Sequence, residues 1–108
     1  MSLSTFLSSL LNNDETQTYT VNRPYGRRMT FTFRYSYIDS AWRAYIISSP
    51  SYGNKSTDLH NTHRYYDNNR NLYYVCWTVS LKRLEDMIEV SRVWARETAK
   101  YIDTGERF

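Results

Sequence analysis

The sequence predicts an α+β domain: an antiparallel sheet of about four strands, a long C-terminal helix packed on one face and a short N-terminal helix. Three observations lead there. Met29, Phe31, Phe33, Tyr35 and Tyr37 recur at every second position, with Arg28, Thr30, Thr32, Arg34 and Ser36 between them; that is the period of a half-buried strand. Leu84, Ile88, Ser91, Ala95, Thr98 and Ile102 instead step by four and three, and Met87, Trp94 and Tyr101 widen the stripe. That is the period of an amphipathic helix lying on a sheet. All but one of the connections between patterned runs are short, which favours antiparallel neighbours.

The elements follow in order. Leu3, Phe6, Leu7, Leu10 and Leu11 fall at helical spacing behind Ser2 or Ser4 as N-cap, and Asn12-Asn13-Asp14 ends that helix. A helix so short must dock on something to persist. Thr18 to Asn22 alternates, with Tyr19 and Val21 on one face. Arg23-Pro24-Tyr25-Gly26-Arg27 reads as a hairpin loop, because proline presets φ and glycine permits a positive one. Arg28 to Tyr37 is the clearest strand, and Ile38-Asp39-Ser40-Ala41 turns it into a third, Trp42 to Ser48. Its faces are Trp42, Ala44 and Ile46 against Arg43, Tyr45 and Ile47. Leu72 to Val79 is apolar on both faces, the mark of a central strand covered on both sides. Ser80 is then the expected cap of the last helix, with Val79 and Leu84 as a hydrophobic staple and Gly105 as its stop.

A chain of 108 residues makes one domain, 1–108, without room for a second core. Its 41% apolar content supports a core, and eleven tyrosines carry most of an unusually high aromatic fraction. Tyrosine joins a large ring to a polar tip, which suits half-buried sheet faces and contact surfaces alike. The net charge of +3 is too small to imply a polyanion partner by itself. Its distribution says more. Between Thr16 and Lys55 there are six basic residues and one acid, whereas Ser80 to Phe108 holds six of each. The positive excess therefore belongs to the sheet region. The line Arg92, Arg96, Lys100 on the last helix is flanked by Glu89, Glu97 and Asp103 and reads as an outer face laced with ion pairs. One cysteine excludes an internal disulfide and points to a reducing cytoplasm. No apolar run approaches the roughly 20 residues of a membrane span.

The long exception among the connections runs from about residue 50 to 71. It holds both histidines, lacks helix or strand periodicity and leads into Cys76. Unpatterned segments of that length in a small domain are usually functional or disordered; this one is rich in aromatic rings and side-chain donors. Asp58, His60, His63 and Asp67 lie within ten residues of one another, a ligand chemistry that suits zinc or another first-row metal and also acid–base work. No family spacing accompanies them and no nucleophile is defined, so neither a metal nor any other cofactor is assigned. Cys76, between Val75 and Trp77, reads as a buried, inert thiol. Three glycines leave no phosphate-cradling loop.

Basic and aromatic residues together are the stronger lead. Arg23, Arg27 and Arg28 surround Tyr25 at the hairpin, and Arg64, Tyr65, Tyr66 and Arg70 form a second set in the long loop, with Tyr52 near its start. Arginine supplies bidentate phosphate contacts and tyrosine supplies stacking faces. The same residue types anchor protein interfaces.

The pattern PSYG…STD.H.THRYYD…YYVCW, followed by a helix ending YIDTGERF, resembles small proteins encoded by phages and conjugative elements of Gram-positive bacteria. Such elements often encode proteins that act on host nucleic-acid machinery, including inhibitors of CRISPR nucleases. The resemblance implies a binder or inhibitor rather than an enzyme, and it carries no site residues with it. The expectation is thus a non-enzymatic cytoplasmic binding protein. It would contact nucleic acid or a nucleic-acid-processing complex through Arg23, Tyr25, Arg27, Arg28, Tyr52, Arg64, Tyr65, Tyr66 and Arg70. A protein-binding inhibitor or accessory factor is the alternative, and a metal-dependent enzyme using the Asp/His loop is the third.

Overall fold

A computed structural model describes residues 14–22 and 28–108. The expected N-terminal helix and the hairpin tip with Arg23, Tyr25 and Arg27 lie outside the described residues. Strands β1 (Glu15–Val21), β2 (Met29–Ile38) and β3 (Ala41–Ser48) form an antiparallel meander. A single helical turn α1 (Leu59–Thr62), strands β4 (Arg64–Asp67) and β5 (Leu72–Val75), and the long helix α2 (Leu84–Thr104) follow. The sheet has five strands in the order β1-β2-β3-β5-β4. The fold is the α+β architecture read from the sequence, with one strand more, because β4 lies inside the segment expected to be a loop. No described helix is long and apolar enough to cross a membrane.

The alternation in β2 places Met29, Phe31, Phe33 and Tyr35 in the core, against Ala44, Ile46 and Val75 of the neighbouring strands. From the other side α2 presents Met87, Trp94, Ala95 and Ala99. Trp94 wedges edge-on against both Phe31 and Phe33, with ring centroids 5.8 and 6.0 Å apart. A buried polar link crosses this interface: Ser91 Oγ donates to the Ile88 carbonyl and meets the Tyr35 hydroxyl at 2.6 Å. Burial raises the Tyr35 hydroxyl above its ordinary pKa, so it stays protonated. On the outer side of α2, Arg96 approaches Glu89 and donates to the Tyr19 hydroxyl, and Arg92 lies over the Tyr19 ring, so the basic line is tied to β1.

Turn chemistry sets the registers. Ile38 pairs with Ala41, leaving Asp39 and Ser40 as a two-residue loop, both with positive φ; this twist matches that of the flanking strands. Between Thr32 and Phe33 the pairing shifts, Phe33 meeting Ile46 and Thr32 meeting Ser48. Ile47 is the extra residue of that bulge and is exposed, on the face that α2 does not cover. Gly105 ends α2 in the left-handed region, as expected, its N–H bonding to the Tyr101 carbonyl.

Three local expectations need correcting. β5 ends at Val75 rather than Val79 and lies between β3 and β4, with Tyr73 exposed, so it is not covered on both sides. Helix α2 begins at Leu84 with Arg83 at the cap position, so Ser80 does not cap it and Val79 forms no staple. The cause is tertiary. Trp42 N–H donates to the Leu81 carbonyl and Lys82 Nζ to the Ser40 carbonyl, drawing residues 76–83 along the sheet as an extended strap. Cys76 is only partly buried because it already belongs to that strap.

Trp94→Ala should cost about 3–5 kcal/mol in urea unfolding, the range for a buried tryptophan. Val93→Ala, on the exposed side of the same turn, should stay within about 0.5 kcal/mol. Ser40→Gly should raise stability by up to about 1 kcal/mol. Relief of a left-handed L-residue, roughly 1–2 kcal/mol, exceeds the added entropy cost of glycine, roughly 0.5–1 kcal/mol; the urea midpoint measures the difference.

Candidate functional site

The sheet face turned away from α2 carries the densest arrangement of cations and rings among the described residues. The registers define a row across all five strands. Thr16 stands opposite Arg34, Arg34 opposite Tyr45, Tyr45 opposite Tyr74, and Tyr74 opposite Tyr65. Two arginines lie on these rings: Arg43 over Tyr74 at 4.6 Å and Arg70 over Tyr45 at 4.8 Å. Arg28 and Arg34 are exposed on the same side of β2. Towards β1 the face becomes polar and uncharged, with Thr18 meeting Thr32 and Thr20 meeting Thr30 at hydrogen-bond distance.

Tyr45 is the base of the row, 0% exposed on a face that α2 does not cover. Its hydroxyl donates to Asp67 Oδ2 at 2.6 Å and accepts from Arg43 Nη1 at 3.3 Å. Asp67 shapes the β4–β5 connection with its other oxygen. Oδ1 accepts the backbone N–H groups of Asn69 and Arg70 at 2.8 and 3.1 Å, the Asx turn that polar loop residues favour. Arg70, placed by that turn, donates to Ser36 Oγ at 3.0 Å and approaches Asp14. A single carboxylate therefore sets both the turn and the row. The Tyr45 hydrogen bond, with support from the turn N–H groups and Arg43, holds the Asp67 carboxyl below the ordinary aspartate pKa. Burial and the hydrogen bond to Asp67 raise the Tyr45 hydroxyl.

The residues singled out from sequence fall in different places. Arg28, Tyr65 and Arg70 belong to the row's face. Tyr66 is exposed but on the opposite face, edge-on to Tyr73 at 4.9 Å. Arg64 lies there too, its guanidinium 3.8 Å from the Tyr73 centroid and 5.0 Å from that of Tyr52. Tyr52 is not on a contact surface: it is 8% exposed and packs on Tyr101, because the chain from residue 50 folds back along α2. The Tyr101 hydroxyl, donating to the Ser56 carbonyl, pins that return.

Nor does the structure gather the candidate metal set Asp58, His60, His63 and Asp67. Among the described residues no three His, Cys, Asp or Glu side chains come together as a metal site. Asp58 caps α1, its Oδ1 accepting from the Asn61 backbone and side chain at 2.9 and 2.6 Å. The backbone bond from Asn61 lowers its pKa. His63 ends α1 with φ 51° and packs on Phe108 at 4.4 Å.

Sequence reasoning missed Arg34, Arg43, Tyr45 and Tyr74 as parts of one surface. The period-two partition of β2 and β3 already placed the first three off the core face. The absent signal was the pairing of β5 beside β3. No family model matches the chain, and no curated protein or solved structure matches it either.

Asp67→Asn should destabilise the fold at neutral pH, with the sign fixed by the lowered carboxyl pKa. The carboxylate's contribution is complete above the unfolded value of about 3.9 and fades as pH falls through the lower folded value. Urea midpoints of the native protein and the variant should therefore differ near pH 7 and converge near pH 2.

Proposed function

We propose that this chain is a non-enzymatic binding protein whose sheet face opposite α2 takes single-stranded nucleic acid. The observation that carries the reading is the cross-strand row Arg34–Tyr45–Tyr74–Tyr65, with Arg43 and Arg70 stacked on its rings. A single strand offers alternating phosphates and unpaired bases, and proteins hold it with a cationic track and aromatic platforms. Here Arg28, Arg34, Arg43 and Arg70 are the cations. Tyr65 and the half-buried Tyr74 are the rings within reach, while Tyr45 fixes the platform from beneath. Three acids oppose a polyanion here: Asp67 has both oxygens engaged, Asp14 lies 3.9 Å from Arg70, and Asp39 lies 3.7 Å from Arg43. The Asp/His segment does not enter this reading, because Asp58 and Asp67 are occupied in the cap and the turn. A single thiol suits action in a reducing cytoplasm.

A second reading rests on a different observation. Trp77 of the strap is 52% exposed and lines one hollow with exposed Val93 and Phe108, and Val79 further along the strap is 62% exposed. An apolar patch of that kind favours a protein partner, as for an inhibitor or accessory factor of a mobile element.

Titration of labelled single-stranded oligonucleotides separates the two. Four arginine–phosphate contacts give a salt slope of about −2.8, so affinity should fall roughly fifty-fold between about 50 and 200 mM salt. Arg34→Ala should weaken binding across sequences and flatten the slope by about 0.7. Binding indifferent to salt, or none at low salt, would remove this reading and leave the protein partner.

A further inference from the structure

Beside the row the sheet has a gap. β5 leaves β3 after Val75, and the Cys76 N–H turns away to bond the His63 carbonyl. The strap that follows rejoins β3 only where Trp42 N–H meets the Leu81 carbonyl. Between these two points lies a cleft of about 290 Å³. Its walls come from both sides of the sheet. Arg43, Tyr65 and Tyr74 belong to the face that carries the row; Trp42 and Met87 belong to the core side, and Trp77 comes from the strap. The mouth therefore combines aromatic rings with the Arg43–Asp39 ion pair, and the floor is apolar.

We infer that this cleft receives a single nucleobase from a strand lying on the row; the inference rests on the function proposed above. Three features select that ligand class. The volume is at the small end of the roughly 300–1,000 Å³ of small-molecule pockets, which suits one planar ring system. Aromatic walls from Tyr65, Tyr74, Trp42 and Trp77 offer stacking surface, which every base can use. At the entrance Arg43 lies over Tyr74 at 4.6 Å, with Asp39 3.7 Å from its Nη2 and Asp67 3.5 Å from its Nη1; a phosphate of the inserted nucleotide would compete with these carboxylates for the guanidinium. Thr78 and Ser80 add hydroxyls along the strap for contacts with a base edge.

The test uses the whole chain, an unlabelled single-stranded oligonucleotide of about ten nucleotides, and the indole N–H resonances of the three tryptophans. At low salt the oligonucleotide should shift the Trp42 and Trp77 signals and leave Trp94, whose N–H is held by the Thr62 carbonyl, unmoved. Ser80→Phe, at an exposed strap position lining the cleft, should fill it. That variant should abolish the Trp42 and Trp77 shifts and weaken binding about ten-fold, with an unchanged salt slope. Thr57→Phe, exposed in the segment that folds back along α2 and away from both the row and the cleft, should bind as the native protein does. Salt-sensitive binding that leaves Trp42 and Trp77 unmoved, or that survives Ser80→Phe at full strength, would overturn the base pocket while the nucleic-acid reading stands. If no oligonucleotide binds, that reading fails, and titration with adenosine and uridine monophosphates decides the cleft alone. Shifts confined to Trp42 and Trp77 would support it, and silence would overturn it.

Discussion

Trp94 is the constraint on which the rest of the molecule depends. Its ring lies edge-on to Phe31 and Phe33, which fixes where α2 crosses the sheet, and its indole N–H donates to the Thr62 carbonyl at 2.9 Å. That carbonyl lies at the end of α1, where a helix leaves acceptors unsatisfied. The indole therefore does more than fill space. It ties the segment after β3 to the helix, and the left-handed His63 then sends β4 back along β5. The position of Tyr65 on the far face of the sheet follows from a contact made in the core.

The row itself obeys a second accounting rule. A fully buried tyrosine on a polar sheet face must find a partner for its hydroxyl, and Asp67 meets that need. Because the same carboxylate closes the β4–β5 turn, the edge strand, its connection and the arginines around Tyr45 form one hydrogen-bonded unit. Rings held from below by such a unit keep their orientation without a ligand, and preorganised contacts of this kind reduce the ordering cost of binding.

What the sequence made legible was whatever generates its own period. β2 alternates over ten residues and α2 repeats over twenty-one, so their faces were readable, and Gly105 and the Asp39–Ser40 turn marked their ends. The segment from 50 to 71 was read as a loop because α1 and β4 have four residues each, too few to show any period. Both are stabilised from outside, by Trp94 and by pairing with β5. Tyr52 gave no hint of its burial, since one aromatic residue among polar neighbours reads the same whether it packs or projects. The candidate surface was half legible for a related reason. Composition located the positive charge on the sheet, but only the insertion of β5 between β3 and β4 aligned Arg34 with the tyrosines.

That insertion has a consequence for the order in which the molecule assembles. The β1–β2–β3 meander and the β4–β5 hairpin each form from neighbours in sequence, whereas joining them means closing the chain between Tyr45 and Tyr74. Loop-closure entropy places such a junction late on the folding path, and the elements joined last separate most readily in local opening. The gap beside β3 lies on this junction. Any occupant would span two pieces that fold separately, and so would act chiefly on the rate at which they come apart and little on the rate at which they meet.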